Sequence, residues 1–172
     1  MWQTGTPPSP STSVSSTFSI MNILPFFSAL SLPLSPSPNE GGGLLTEKYL
    51  GRAEPKSRAE LNTASLGKYK NMVDMWGGWG LFQELLAVLD TVAKGRSCSI
   101  ASVATRYILD QPAVGGVIVG CRLGVPGAEH IEDTLRSCAL ELRPEDVSAI
   151  NGVLQRSRDL MRVTGDCGGE YR

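Results

Sequence analysis

The chain has 172 residues and a formal net charge of −1, and 19% of its residues are charged. This length is sufficient for one domain with a hydrophobic core, and the near-neutral charge argues against a nucleic-acid-binding protein, which usually carries a basic patch. The four cysteines form no CxxC pair and the sequence has one histidine, so the sequence indicates neither a structural zinc site nor disulfide bonds, and a reducing, cytoplasmic compartment is expected.

Residues 1–40 form a Ser/Pro-rich leader. They contain ten Ser, seven Pro and four Thr, with no Lys or Arg, and this composition predicts a disordered segment. The apolar block at residues 18–34 is interrupted by two prolines and is short for a membrane span of about 20 residues. No basic residue precedes it, as one would in a signal peptide. We therefore place a domain boundary near Glu40 and expect no membrane partner. A secreted protein with residues 1–34 as its leader is the open alternative.

Two helices are predicted in the first part of the globular region. Residues 79–95 have apolar side chains at helical spacing, and Gly95 is the expected stop. The next helix follows Ser97 or Ser99 as its N-cap and ends before Pro112.

The "MWGGWG" stretch contains two tryptophans, of which Trp76 lies just before the first of these helices and Trp79 begins it. We expect them to be packing anchors against a neighbouring helix. A substrate-side aromatic surface is the alternative.

The run "VGGVIVG", residues 114–120, is short, β-branched and bounded by glycines. It predicts a strand buried on both faces, as in a parallel sheet, and therefore an α/β fold. Arg122 follows this run, and ligands of parallel α/β folds bind beyond the carboxyl ends of the strands. A guanidinium group there can hold a phosphate. A solvated surface arginine is the alternative interpretation.

Two further helices are predicted after the strand. The first covers residues 128–138 and has acidic residues near its start. The second covers residues 143–161, with Pro144 in its first turn and with Glu145 and Asp146 at the positive end of its dipole.

Several segments, in matching order, resemble the C-terminal part of the aldo-keto reductases. They are "GGLLTEKYLG" (42–51), "SRAEL" (57–61), "SIASVATRYILDQPAVGGVIVGCR" (99–122), "EHIEDTL" (129–135) and "GDCGGEYR" (165–172). The resemblance covers about residues 41–172 and implies the C-terminal fragment of a (β/α)8 TIM barrel. Residues 114–120 resemble the eighth barrel strand, and residues 42–49 resemble the loop after the seventh, where such barrels commonly hold a phosphate.

The resemblance also implies NADPH as cofactor and a small carbonyl compound as substrate. The implied cofactor-binding residues are Gly120, Arg122, His130, Asp133, Thr134, Arg58, Thr46 and Lys48. Those from Gly120 to Thr134 match positions at the adenosine end, with Arg122 near the 2′-phosphate. The other three match positions near the pyrophosphate and the closing loop.

At three of these positions the chain departs from the family pattern. His130, Asp133 and Thr134 stand where the family commonly has Gln, Glu and Asn against the adenine and ribose. Asp133 is still able to accept a hydrogen bond from an amino group, and Thr134 is a shorter donor and acceptor.

The family's catalytic tyrosine, lysine, aspartate and histidine belong to the N-terminal half of the barrel. No tyrosine of this chain lies in a sequence context that matches the family's catalytic tyrosine, so we assign no catalytic residue. We also assign no metal ligand. The expected protein is a truncated NADPH-dependent oxidoreductase chain that keeps the cofactor-binding edge, and whether it is an enzyme on its own stays open. The alternative is a non-catalytic half-barrel that binds a nucleotide or a partner, such as a full-length paralogue.

Overall fold

The computed structural model of the protein describes residues 43–56, 60–61, 64–112, 114–117 and 131–164. Every regular element in these ranges is helical. The elements are a 3-10 helix (Glu47–Tyr49), α1 (Ala64–Trp76), α2 (Gly78–Arg96), α3 (Ile100–Leu109), α4 (Ile131–Ala139), α5 (Pro144–Leu154) and α6 (Leu160–Thr164). Within the described ranges, no helix combines the length and the apolar character needed to cross a bilayer.

Helix α2 lies at the centre of the helical assembly. It contacts α1, α3, α5 and the 3-10 helix, while α3 packs on α4 and α1 packs on α6. Its buried side chains recur every three or four residues, which produces a wide apolar stripe. They are Trp79, Phe82, Leu85, Leu86, Leu89, Val92 and Ala93. Because neighbouring helices cover this stripe from several sides, α2 organises the core.

The C-terminus of α2 differs from the sequence prediction. Gly95 lies inside the helix, and Ser97 is the residue that ends it, with φ 53 in the left-handed region. The backbone N–H of Cys98 donates to the oxygen of Ala93 at 3.1 Å, which satisfies a carbonyl of the last turn. The expected stop at Gly95 is therefore wrong by two residues.

Helix α1 has no counterpart in the sequence prediction. Its buried positions are Leu66, Lys70, Val73 and Trp76, which are spaced by three or four residues. A lysine at a core-facing position interrupts the apolar pattern on which the prediction depended. Trp76 and Trp79 are 0% and 7% exposed, which confirms their expected role as packing anchors.

The start of α3 agrees with the sequence prediction. Ser99 is its N-cap, and the Ser99 hydroxyl accepts a hydrogen bond from the backbone N–H of Ser102 at 3.0 Å. The helix ends at Leu109, before Pro112. The predicted helix over residues 128–138 is described from Ile131 onward, as α4, and its first three residues lie outside the described part.

The single long helix predicted over residues 143–161 is wrong. The structure has α5 and α6 instead, separated by residues 155–159. The interruption follows from a contact with a distant element, because the backbone N–H of Arg158 donates to the oxygen of Trp76 at the end of α1, at 2.7 Å. A new helix begins after Asp159, whose carboxylate accepts from the backbone N–H of Arg162.

The described ranges contain helices of the predicted α/β fold but not its strand. Residues 114–117 of the predicted strand have no regular secondary structure, and residues 118–120 lie outside the description. No strand occurs among the described residues, so the strand and the barrel fragment stay predictions. The leader of residues 1–40 and the boundary near Glu40 also lie outside them.

Candidate functional site

The 3-10 helix presents two of the predicted site residues at the surface. Leu45 and Tyr49 are 2% and 6% exposed and anchor the segment in the core. Between them, Thr46 is half-buried and Lys48 is exposed. The Thr46 hydroxyl donates to the backbone oxygen of Gly43 at 3.3 Å, and the Lys48 ammonium lies 5.5 Å from the ring centre of Tyr49. The buried neighbours thus hold a hydroxyl and an ammonium at the surface.

Glu47 attaches this segment to the N-terminus of α3. Its Oε1 atom accepts a hydrogen bond from the backbone N–H of Ile100 at 2.7 Å. The first N–H groups of a helix have no partner within the helix, and a negative charge there is favourable. Sequence reasoning did not select Glu47, although it lies between two of the predicted residues.

Asp133 of α4 reaches the same end of α3. Its Oδ2 accepts from the hydroxyl of Ser99 at 2.5 Å, and its Oδ1 accepts from the hydroxyl of Ser102 at 2.8 Å. The Ser102 hydroxyl also lies 3.0 Å from the backbone oxygen of Asp133. Two serines one helical turn apart are the local signal for such a contact, but the sequence does not identify their partner.

Thr134 lies beside Asp133 in the first turn of α4. Its side chain is half-buried, and its backbone oxygen accepts from the hydroxyl of Ser137 at 2.6 Å. Through Glu47, the structure therefore attaches the segment that carries Thr46 and Lys48 to the N-terminal end of α3, and through Asp133 it attaches the first turn of α4, which carries Thr134, to the same end. We call this region the α3 cluster, defined by Thr46, Glu47, Lys48, Ser99, Ser102, Asp133 and Thr134.

Cys98 borders the α3 cluster. Burial raises the pKa of the Cys98 thiol, and the negative charge of Asp133 acts in the same direction. Arg96 and, more weakly, Arg136 oppose this effect, while Glu47 adds a small contribution to it. A thiol whose pKa is raised stays protonated at neutral pH, whereas the thiolate is the nucleophilic form. The raised pKa therefore disfavours the nucleophilic thiolate of Cys98 in this region.

The other four predicted residues have no structural description. Gly120, Arg122 and His130 belong to the undescribed range 118–130, and Arg58 belongs to the undescribed range 57–59. Their roles stay predictions that follow from the family resemblance.

Two described tyrosines, Tyr49 and Tyr107, do not have the environment of a catalytic acid. Tyr107 is 2% exposed, and its hydroxyl donates to Oδ1 of Asn151 at 2.5 Å. Burial raises the pKa of Tyr107 to about 12, away from the neutral range in which a general acid is efficient. Tyr49 is 6% exposed, and its ring packs edge-on against Trp79. Both side chains serve packing.

A second surface feature lies on α5. It is a groove of about 570 Å³ whose lining contains no charged side chain, formed by Leu142, Pro144, Val147, Ser148, Asn151, Gly152 and Gln155. Without a cation it does not match a phosphate group. In the part of the chain that the structure describes, no group of three or more His, Cys, Asp or Glu side chains is arranged to hold a metal.

The α3 cluster combines one exposed ammonium, that of Lys48, with carboxylate and hydroxyl groups held at the N-terminal end of α3. Comparison with known families gives the class of the protein. The model of the aldo/keto reductase family matches residues 12–155, so the chain belongs to this family of oxidoreductases. No curated protein and no solved structure matches it significantly. The matched range begins before the boundary expected near Glu40.

The α3 cluster contains two kinds of polar group, a cation at Lys48 and carboxylate and hydroxyl groups elsewhere. The Lys48 ammonium is a donor suited to phosphate oxygens, whereas the Thr46 hydroxyl already donates its proton to Gly43 and offers only an acceptor. Asp133 and Thr134 carry groups suited to an amino group and hydroxyls. The N–H of Ile100 already binds Glu47, and Asp133 binds Ser99 and Ser102. Because of these carboxylates, a phosphate would bind on the Lys48 side rather than at the helix N-terminus itself.

Proposed function

We propose that this chain binds NADPH through the α3 cluster together with Gly120, Arg122, His130 and Arg58. The observation that carries the proposal is the meeting of two sequence-distant segments at one end of α3. Glu47 attaches the first segment and Asp133 attaches the second, at hydrogen-bond distances between 2.5 and 2.8 Å. The family resemblance assigns the first segment, with Thr46 and Lys48, to the pyrophosphate, and the second, with Asp133 and Thr134, to the adenine and ribose.

In this proposal, each segment has its own task. Lys48, two residues after Thr46, holds the pyrophosphate, while Asp133 and Thr134 contact the adenine and ribose. Arg122 binds the 2′-phosphate with its planar set of donors. The bound cofactor would supply a hydride for reduction of a small carbonyl compound, as is typical of the family.

Neither Tyr49 nor Tyr107 is suited to donate the proton for that reduction. Tyr49 and Tyr107 are buried in packing contacts, and burial raises the pKa of Tyr107. We therefore propose that these 172 residues bind the cofactor and do not reduce carbonyl compounds by themselves.

Binding of NADPH and NADH to the full chain tests the proposal. One charged hydrogen-bonded contact contributes roughly 1.5–3 kcal/mol, so NADPH should bind at least about tenfold more tightly than NADH. The Arg122→Ala variant should lose this preference. Arg162→Ala is the matched control, because Arg162 is exposed on α6. Equally weak binding of the two cofactors by the unmodified chain would refute the proposal.

A second candidate function is association with a full-length paralogue. It is favoured by the surface of α4, where Ile131 and Leu135 are 45% and 63% exposed and lie one helical turn apart on the same face. An apolar helix face normally packs against another element. Sedimentation of the chain mixed with a full-length aldo/keto reductase should then show a complex that Leu135→Glu abolishes. No complex at micromolar concentrations would exclude this function.

A further inference from the structure

The side-chain amide of Gln83 bridges the turn that follows the 3-10 helix. Its Nε2 atom donates to the backbone oxygen of Tyr49 at 3.0 Å, and its Oε1 atom accepts from the backbone N–H of Gly51 at 2.7 Å. Gly51 has φ +70, a conformation that favours glycine. An amide side chain supplies both a donor and an acceptor, so Gln83 of α2 fixes both ends of the turn.

Two more side chains hold the loop beyond this turn. The indole Nε1 of Trp79 donates to the backbone oxygen of Arg52 at 2.9 Å. The ammonium of Lys70 donates to Oε1 of Glu54 at 2.7 Å. Residues 49–54 are thus held along α1 and α2 by three successive side chains, of which Gln83 is the one nearest to Lys48 in the chain.

The opposite end of the segment is held by α3. Glu47 accepts from the backbone N–H of Ile100 at 2.7 Å, and Leu45 is 2% exposed. Lys48 therefore lies between one fixed point on α3 and another on α2. Removal of the Gln83 contacts loosens the backbone after Lys48 without changing a side chain of the α3 cluster.

We propose that Gln83 is a positioning residue for cofactor binding, which holds Thr46 and Lys48 at the place of the pyrophosphate. This inference rests on the function proposed above. Gln83 acts through the backbone of Tyr49 and Gly51 and has no contact with the cofactor. Its loss should weaken ligands that carry the pyrophosphate and should spare ligands that reach only the adenosine end.

The test compares two ligands on the full chain. NADPH carries the pyrophosphate, whereas 2′-AMP carries only the adenosine and the 2′-phosphate. Gln83→Met keeps the length of the side chain and removes both hydrogen bonds. We expect it to weaken NADPH binding by roughly fivefold or more and to leave 2′-AMP binding unchanged.

Two further variants make the result specific. Gln83→Glu keeps the acceptor for Gly51 but places a carboxylate against the carbonyl oxygen of Tyr49, so it should also weaken NADPH binding and leave 2′-AMP binding unchanged. Gln111→Met is the matched control, because Gln111 also donates to a backbone oxygen, that of Tyr107 at 2.8 Å, but lies beyond the opposite end of α3. It should bind both ligands normally.

The outcomes separate this inference from the proposed function. If the unmodified chain binds neither NADPH nor 2′-AMP, the proposed function fails and the inference fails with it. If the unmodified chain binds both, unchanged NADPH binding by Gln83→Met overturns the inference alone. An equal loss for both ligands also overturns it, because that pattern indicates general destabilisation. If Gln83→Met does not fold, Gln83→Glu decides between the same outcomes.

Discussion

Ser97 has a left-handed backbone conformation that is unfavourable for a residue with a Cβ atom. It ends α2 with φ 53 and is exposed, so its side chain contributes little packing. A left-handed conformation costs an L-residue about 1–2 kcal/mol, and glycine avoids this cost. Glycine also increases the conformational entropy of the unfolded chain, which offsets part of the gain in stability. We therefore predict that Ser97→Gly raises the free energy of unfolding by about 0.5–1 kcal/mol, measured by urea denaturation.

Ser97→Ala is the control for this prediction. It removes the hydroxyl and retains the Cβ atom, so the cost of the left-handed backbone remains. Equal stability of the Gly and Ala variants would contradict the conformational explanation.

Tyr107 gives the stability of the protein a dependence on alkaline pH. Burial raises the pKa of Tyr107 from 10.0 to about 12 in the folded protein. The stability that this shift provides is therefore complete below pH 10 and is lost as the pH rises through about 12, because ionisation then favours the unfolded chain. We predict a fall in the free energy of unfolding across this window, measured by denaturation at a series of pH values.

The Tyr107→Phe variant checks the source of that fall. It loses the hydrogen bond to Asn151 and is less stable at neutral pH by about 1 kcal/mol, but its stability should change less between pH 10 and 12. Tyr69→Phe, at a half-buried position of α1, serves as the control. The prediction fails if Tyr107→Phe retains the full alkaline loss.

Helix α1 depends on an ionic contact made from inside its packed face. Lys70 is 7% exposed and donates to Asp74 at 2.6 Å and to Glu54 at 2.7 Å. Burial alone lowers the pKa of Lys70, but the hydrogen bonds and charges of Asp74 and Glu54 outweigh this effect and raise it. The paired carboxylates thus keep the buried ammonium charged.

We predict that removing the two carboxylates lowers the free energy of unfolding more than removing the Lys70 ammonium does. The double variant Glu54→Gln with Asp74→Asn leaves a buried ammonium without its charged partners and should cost about 1–3 kcal/mol of unfolding free energy. Lys70→Met replaces the charge by an apolar side chain and should cost less. Lys94→Met is the control, because the Lys94 side chain is 76% exposed. A larger loss for Lys70→Met than for the double variant in chemical denaturation would contradict this ranking.

The same lysine shows how far the sequence predicts the elements. Helices α2 and α3 could be predicted because their apolar residues recur without interruption, and the Ser99 cap is a local signal. Helix α1 was missed because Lys70 occupies a core-facing position. The break between α5 and α6 was missed because the apolar spacing continues to Leu160, while the bond from Arg158 to Trp76 joins distant parts of the chain.

In the candidate site, too, individual residues could be predicted from the sequence, but contacts between distant segments could not. Resemblance to the family selected Thr46, Lys48, Asp133 and Thr134. It did not provide the contact of Asp133 with Ser99 and Ser102, because the partners are 34 and 31 residues apart in the chain. Pairing of this kind depends on how α3 and α4 pack, which local propensity does not encode.

At the scale of the whole molecule, stability depends on the covering of α2. Leu89 is 0% exposed, whereas Leu81 of the same helix is only partly buried. Truncation of a buried leucine costs about 2–5 kcal/mol, with the larger values where a cavity remains. We predict that Leu89→Ala lowers the free energy of unfolding by this amount and that Leu81→Ala lowers it clearly less. Equal losses in urea denaturation would show that α2 is not the centre of a cooperative core.

The return of α5 onto α2 has a consequence for the order in which the protein assembles. Helices α1, α2 and α3 are consecutive in the chain, but the ion pair between Glu84 and Arg156 joins residues 72 apart. Closing so long a loop is entropically costly and is rewarded only after both ends have met. During synthesis on the ribosome, the face of α2 that α5 covers therefore stays open to water until residues beyond 154 have left the exit tunnel. In that interval it is an apolar surface that a chaperone can protect from aggregation.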